Sequence, residues 1–297
     1  MTSSPDRNGG GPRVSVMIPC YGRPDDLRRT LRETRRQTYC SFETVIIDDG
    51  TPDDTVAMAA REFPECRYVR LAANVGLIGA RNQGAAQCRG EYIVNLDDDS
   101  WLVEPDALTQ IVTFLDKNTH VAVAALNVRQ PASGLAWPLD KMPFPSGNYS
   151  GGGNVQRRAV TLKIGGYIAE FVRQGEELEH TMRIIDAGYA IMALPGIEVF
   201  HNESAVNRNI RRIRTFEAVN LLRREALRAP AVLLPLGVTL FFKFIVVHYR
   251  GIDWSLMARL LFSAPSSMAT LIRKYRKPVQ VASYLKCLRL RRATAGG

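Results

Sequence analysis

The chain has 297 residues, 46% of them hydrophobic and 23% charged, enough to bury a substantial core as one large domain or two smaller ones. Five cysteines, Cys20, Cys40, Cys66, Cys88 and Cys287, are odd in number and form no CxxC pair, which argues against a disulfide or zinc framework. The net charge of +10 is concentrated in the C-terminal third, where Arg and Lys clusters flank an apolar run and suit nucleic acid or anionic lipid headgroups.

Residues 1–12 are polar and glycine-rich with no apolar segment, which reads as a loose leader and not a signal peptide, so a cytoplasmic chain is expected. Val14 to Ile18 is a short apolar run closed by Pro19. CYGRPDD follows as a loop, and Asp25 to Gln37 as a helix with Leu27 and Leu31 on one face. Phe42 to Ile47 repeats the pattern as a strand ending in Asp48 and Asp49, followed by Gly50, Thr51 and Pro52 and a helix from Thr55 to Phe63. Arg67 to Leu71 gives a third strand, Asn74 and Gly76 a turn, and Leu77 to Cys88 a third helix that leads into the strand Glu91 to Leu96. Strands alternating with helices at this spacing predict a parallel sheet with right-handed crossovers.

The fourth strand runs directly into Asp97, Asp98 and Asp99. Open α/β sheets bind ligands at the carboxyl ends of their strands. In an extended chain Asp97 and Asp99 point the same way, and two carboxylates about 4 Å apart repel by roughly 4 kcal/mol at an effective dielectric near 20. A hard divalent cation such as Mg²⁺ or Mn²⁺ removes that repulsion and typically brings substrate phosphates with it. The same residues also suit a cap, with Asp99 or Ser100 opening a helix from Glu104 to Lys117. An EF-hand starting at Asp97 fails because Leu102 and Leu108 occupy its glycine and bidentate glutamate positions. Asp48 or Asp49 can accept the imide N–H of uracil or thymine, or cap the helix before Thr55. No GxxxxGK[ST] occurs and no GxGxxG follows the first strand, which removes support for P-loop and dinucleotide binding.

Beyond a strand from His120 to Asn127 the alternation stops. Gln130 to Gly153 is rich in Pro, Gly and Ser, and a loop of that length is usually functional or mobile. Gly151, Gly152, Gly153 and Asn154 either let backbone approach a ligand closely or form a plain linker. In GEELEHTMRIIDAGY, Leu178, Met182 and Ile185 repeat at helical spacing, and Gly188 suits a C-cap. Glu176 and Glu177 fall in the first turn, where the helix dipole favours ionised carboxylates; one can serve as a general base, although acidic first turns are commonplace. His201, after the apolar run Ile197 to Phe200, is open between a structural and a ligating role. Further on, Ala231 to Val247 is at the lower limit of about 17 residues for a membrane span and contains Pro235, Gly237 and Lys243. With basic residues on both sides and an amphipathic stretch from Trp254 to Ile272, it reads as a surface-lying or re-entrant helix, or as a buried helix of a soluble tail.

Taken in order and spacing, VSVMIPCYGRPDDL, VIIDDGTPDDT, NVGLIGARNQGAAQCRGEYIVNLDDDS and GEELEHTMRIIDAGY resemble the family 2 glycosyltransferases, over roughly Val14 to Glu203. The resemblance implies the α/β GT-A fold, a mostly parallel sheet flanked by helices. The expected organisation is a leader at 1–12, a catalytic domain at 13–207 and a basic, apolar helical appendage at 208–297 suited to a membrane surface. By the same likeness Pro19 and Asp48 border the nucleoside, with Tyr21, Arg23, Asp49 and Asn74 as further contacts to the nucleotide-sugar donor. Arg81 would meet the diphosphate or base edge, Asp97 the ribose side with Asp98 among the donor contacts, and Asp99 and Asp97 a Mn²⁺ or Mg²⁺ ion, with His201 completing metal or diphosphate binding. Glu177, ahead of Glu176, would be the base of an inverting transfer from a UDP- or dTDP-sugar to an acceptor hydroxyl on a lipid-linked or cell-surface glycan precursor. Gly22 and Glu177 stand where the family frequently has asparagine and aspartate.

Three rivals remain at this level. A nucleotidyltransferase uses a similar acidic metal site, but its glycine-rich basic N-terminal loop is missing. A non-catalytic sugar-nucleotide sensor would keep the same motifs. A nucleic-acid binder would explain the arginines but not the aspartates, and no helix-turn-helix, RNP or zinc pattern is present, so the expected partners are donor, glycan acceptor and anionic membrane, without nucleic acid.

Overall fold

The structure, a computed structural model, describes residues 10–131, 134–202, 209–263 and 267–295. Most of the expected leader and the expected boundary at 207/208 therefore lie outside the described residues. The first half is the predicted alternation: β1 (Val14–Cys20), α1 (Pro24–Thr34), β2 (Phe42–Asp48), α2 (Thr55–Glu62), β3 (Arg67–Arg70), α3 (Gly76–Gln87) and β4 (Tyr92–Leu96). All seven residues of β1 are buried, as expected of a strand covered on both faces. Leu27 and Leu31 of α1 pack on one face; α3 lies on the other against Met17, Val45 and Ile47. The small residues of α3 explain its close seat, since a Cβ on Gly84 would stand 2.7 Å from Ile47.

These strands pair in parallel in the order β3-β2-β1-β4, so the winding reverses beside β1. A crevice at the carboxyl ends is the expected ligand site at such a switch point. The sheet then continues, in a way the sequence did not reveal, as β4-β9-β6-β10-β5. After Asp99 the chain caps no helix. Ser100–Leu102 forms β5, antiparallel to β10 (Ala190–His201), and α4 starts only at Ala107, running to Lys117. The reason is local and non-local at once: the Ser100 hydroxyl accepts from Asp97 N–H at 2.8 Å, and the far end of β10 supplies a ladder.

The expected long loop is likewise partly strand. β6 (Val121–Gln130) extends three residues beyond Asn127, followed by the short β7 (Gly134–Leu135) and β8 (Phe144–Pro145) and by β9 (Gly153–Arg157). β9 is inserted antiparallel between β4 and β6, pairing Leu96 with Gly153 and Asn95 with Asn154. Its polar side chains are satisfied inside the fold, Asn95 Nδ2 donating to Asn154 Oδ1 at 2.9 Å and Gln156 Nε2 to the Tyr167 hydroxyl at 2.7 Å. α5 (Arg158–Ile164) and a short 3₁₀ turn (Ala169–Phe171) lead to α6 (Glu176–Asp186).

The C-terminal segment is helical: α7 (Ile210–Arg228), α8 (Leu234–His248), α9 (Trp254–Phe262), α10 (Met268–Tyr275) and α11 (Val281–Ala295). α6 is held between sheet and tail. Its Glu179, fully buried, accepts from Arg183 at 2.8 Å and from Arg228 of α7 at 2.6 Å, while Met182 and Ile185 pack with Tyr284 and Cys287 of α11. α8 belongs to a helical run, Ala231–Gly251, long and apolar enough to cross a membrane by length and composition, and little of it is buried.

Candidate active site

A cleft of about 640 Å³ opens at the carboxyl ends of the parallel strands. The end of each parallel strand contributes to it: Pro19 near the end of β1 and Tyr21 and Arg23 after it, Asp49 after β2, Asn74 after β3, and Asp97, Asp98 and Asp99 after β4. His201 joins them from the end of β10, carried there by the β5–β10 pairing that sets it opposite Ser100. One ligand atom each from Asp97, Asp99 and His201 lies within 4.8 Å of the others, and His201 Nε2 stands 3.1 Å from Asp99 Oδ1.

The acidic floor is matched by two arginines. Arg81, buried on α3, donates to Asp97 at 2.6 Å. Arg23, at φ 61° in the left-handed region, donates to Asp99 at 2.9 Å and also to Asp98. Burial drives the Asp98 carboxyl up to about 8 against the pull of Arg23, with Asp99 and Asp97 adding to the rise. Its Oδ2 is buried without a hydrogen-bond partner among the described residues. A buried acidic cluster of this kind, with oxygen donors, one imidazole and the unpartnered Oδ2 of Asp98, fits a divalent ion of the Mn²⁺ type. Asp97, Asp99 and His201 would hold it, in competition with Arg23 for Asp99.

Asp48 and Asp49 divide their duties. Asp49 lines the cleft, where its two oxygens accept from Val75 N–H at 2.7 Å and Gly76 N–H at 2.9 Å, and burial raises its pKa. Asp48, buried one residue earlier, accepts from Thr51 N–H at 2.8 Å and from Arg70 at 3.1 Å. The pair Glu176 and Glu177 opens α6 behind the floor. Glu176 Oε1 is 3.8 Å from Arg81, which thus links it to Asp97. Burial raises both carboxyls; Arg81 opposes the rise, and Glu176 adds to it at Glu177. Gly151 and Gly152 run between the two groups. A Cβ on Gly151 would stand 2.7 Å from Glu177 Oε1, and one on Gly152 would collide with Asp97 Oδ2. Gly151 and Gly152 are thus no plain linker: their backbone is packed against the side chains of Arg81, Glu177 and Asp97.

The sequence did not indicate the last wall of the cleft, made of Val172 and Arg173 before α6 and Asn209, Arg212, Ile213 and Phe216 on and before α7. No local pattern marks these residues; they reach the cleft because α7 folds back onto α6.

Comparison with known proteins agrees with this architecture. The sequence model described as Glycosyl transferase family 2 matches residues 15–173, more than half of the chain. The undecaprenyl-phosphate 4-deoxy-4-formamido-L-arabinose transferase of Pseudomonas fluorescens is 33% identical over 132 residues, 42% of this chain and 39% of that protein. The chain spans less than two fifths of the length of the first curated relatives that it matches. Among solved structures, the mannosyltransferase PcManGT from Pyrobaculum calidifontis in complex with GDP-Man and Mn²⁺ aligns with a TM-score of 0.58 at 18% identity, over 94% of this chain and 88% of that one. GalNAc-T7 with UDP, GalNAc and Mn²⁺ aligns with a TM-score of 0.63 at 16% identity, over 95% of this chain and 58% of that one. At these identities the structural likeness establishes the GT-A fold alone. Together with the matched segment and its run of motifs, it identifies the chain as a member of the family 2 glycosyltransferases.

Proposed function

We propose that the protein is a metal-dependent, inverting hexosyltransferase that moves a sugar from a UDP- or dTDP-linked donor to an acceptor hydroxyl. The observation that carries this reading is the meeting of Asp97 and Asp99, after β4, with His201 of β10, and the link that Arg81 makes from that floor to Glu176, the neighbour of Glu177. The base and ribose would lie along Pro19, Tyr21, Asp49 and Asn74, and Asp48 would shape that wall through Thr51 and Arg70. A Mn²⁺ or Mg²⁺ ion bound at Asp97, Asp99 and His201 would neutralise charge developing on the leaving diphosphate. Arg23 would remain near the phosphates through Asp98. Arg81 would keep Asp97 oriented and hold the Glu pair at a fixed distance from it. Glu177, in its ionised form, would take the proton from the acceptor hydroxyl as that oxygen attacks the anomeric carbon from the face away from the diphosphate.

The acceptor is proposed to be a lipid-linked or cell-surface glycan precursor, met at the cytoplasmic face of the membrane. The exposed apolar helix α8 and the basic tail around it support that placement. They favour it over a nucleic-acid partner, because the acidic floor of the cleft repels phosphate unless a cation intervenes.

A thermal-shift panel of UDP, dTDP and GDP with and without Mn²⁺ tests the reading. Stabilisation by a nucleoside diphosphate is expected to need Mn²⁺, to vanish in Asp99→Ala and to survive in Glu177→Gln, whose turnover should fall by about 100-fold or more. Stabilisation of equal size in EDTA would instead favour a metal-independent sensor.

A further inference from the structure

The backbone is strained where the chain enters α6. Val172 has φ 64° and ψ −52°, and the N–H of Arg173 donates to the carbonyl of Phe171 at 2.6 Å. This is a γ-turn of the positive-φ hand, rare for any side chain and an outlier for a β-branched one. Gln174 follows at φ 66° and Gly175 at φ 84°. Two properties make the turn more than a local oddity: Val172 and Arg173 line the cleft, and Glu176 and Glu177 come directly after it. Backbone outliers persist only where their surroundings over-determine them, and they gather at functional sites.

The over-determining group is Asn220, buried in the interior of α7. Its Nδ2 lies 2.9 Å from the carbonyl of Phe171, 2.8 Å from that of Arg173 and 2.7 Å from that of Gln174, so its two N–H bonds are shared among three acceptors. Its Oδ1 accepts from Arg223 at 3.2 Å, and Arg223 in turn donates to the carbonyl of Glu170 at 3.0 Å and to that of Leu260 at 2.6 Å. A buried asparagine is a poor helix residue, and its short amide here serves the neighbouring turn rather than its own helix.

We infer that Asn220 is a positioning residue for sugar transfer: it clamps the strained turn Phe171–Gln174, so that Val172 and Arg173 form a fixed lip of the cleft and Glu177 is presented at a set distance from the donor. The inference rests on the glycosyl-transfer reading above. The proposed nucleotide contacts come from the connections after β1, β2, β3 and β4, none of which Asn220 touches. Donor binding and turnover should therefore separate.

The test uses the full chain with two substitutions. Asn220→Asp keeps the shape but turns oxygens toward three carbonyls, and Val172→Gly relieves the left-handed strain while leaving Asn220 in place. Calorimetric titration with UDP, dTDP and GDP in Mn²⁺ gives affinity and the number of competent sites; release of nucleoside diphosphate from the corresponding nucleotide sugar gives kcat per competent site. Asn220→Asp is expected to bind within about twofold of wild type while kcat per site falls roughly 30- to 100-fold, the size of effect that small misplacement produces. Val172→Gly should fold with an undiminished Tm and, with more backbone conformations open to the turn, lose about tenfold in kcat. An asparagine with a merely structural role would lower Tm and the number of sites but leave kcat per site intact, and that result in Asn220→Asp overturns the inference. If Asn220→Asp does not fold, wild-type kcat in Val172→Gly overturns it. Failure of the wild-type chain to bind any of the nucleoside diphosphates in Mn²⁺ would instead overturn the glycosyl-transfer reading beneath it.

Discussion

Glu177 has lost much of its water and gained a like-charged neighbour, and both effects favour the protonated carboxyl. A general base works only when ionised. If Glu177 is that base, turnover should fall as pH drops through a limb displaced above the ordinary glutamate value of about 4.3. Replacing Glu176 with Gln removes the like charge and should move that limb to lower pH without abolishing turnover. A profile of kcat against pH at saturating donor and Mn²⁺ measures this, and collapse of turnover in Glu176→Gln would assign the base to Glu176. At this scale the letters name candidates but not the surroundings that rank them. Asp48 and Asp49 look equivalent as letters, yet only Asp49 lines the cleft, because Asp48 is taken up by Thr51 and Arg70.

Among the elements, β9 is the one that makes the site compact. Its entry through Gly151 and Gly152 passes between Asp97 and Glu177 at a separation that leaves no room for a side chain. Gly152→Ala must therefore displace either the strand or the Asp97 carboxylate from Arg81. We expect Mn²⁺-dependent nucleotide affinity to fall by about tenfold or more, with a smaller loss of Tm, as measured by titration and thermal unfolding of the same variant. The glycine run was visible in the sequence but the strand was not. Five residues, GNVQR, carry too few apolar side chains to announce a central strand, and their polar groups find partners in Asn95 of β4, Tyr167, Thr161 and carbonyls such as those of Ser150 and Leu115.

Over the whole molecule, charge and apolar exposure coincide. From Pro230 onward, eleven lysines and arginines face a single acid, Asp253, which accounts for the entire net charge of +10. In the same region Val232 is 76% exposed, Phe242 59%, Val246 72% and Val247 65%. Such a surface matches an anionic bilayer. The full chain is expected to co-sediment with vesicles containing phosphatidylglycerol but not with neutral phosphatidylcholine vesicles, and less so at high salt, where screening shortens the reach of the charges. The double substitution Phe242→Asp and Val246→Asp should reduce binding while leaving nucleotide affinity unchanged.

The sequence by itself determined the four leading strands, their helices and the aspartates at the strand ends, because apolar periodicity and turn residues act over a few positions. It also determined the family, through the order of its motifs. The resemblance had already grouped His201 with Asp99; the tertiary structure alone decided that the β5–β10 pairing carries it there across about a hundred residues, that β9 enters the sheet antiparallel, and that α7 supplies a wall of the cleft and the amide that holds the turn before Glu176. Those outcomes depend on which distant backbone edges pair and which buried polar groups find each other, and no short stretch of chain encodes its partner.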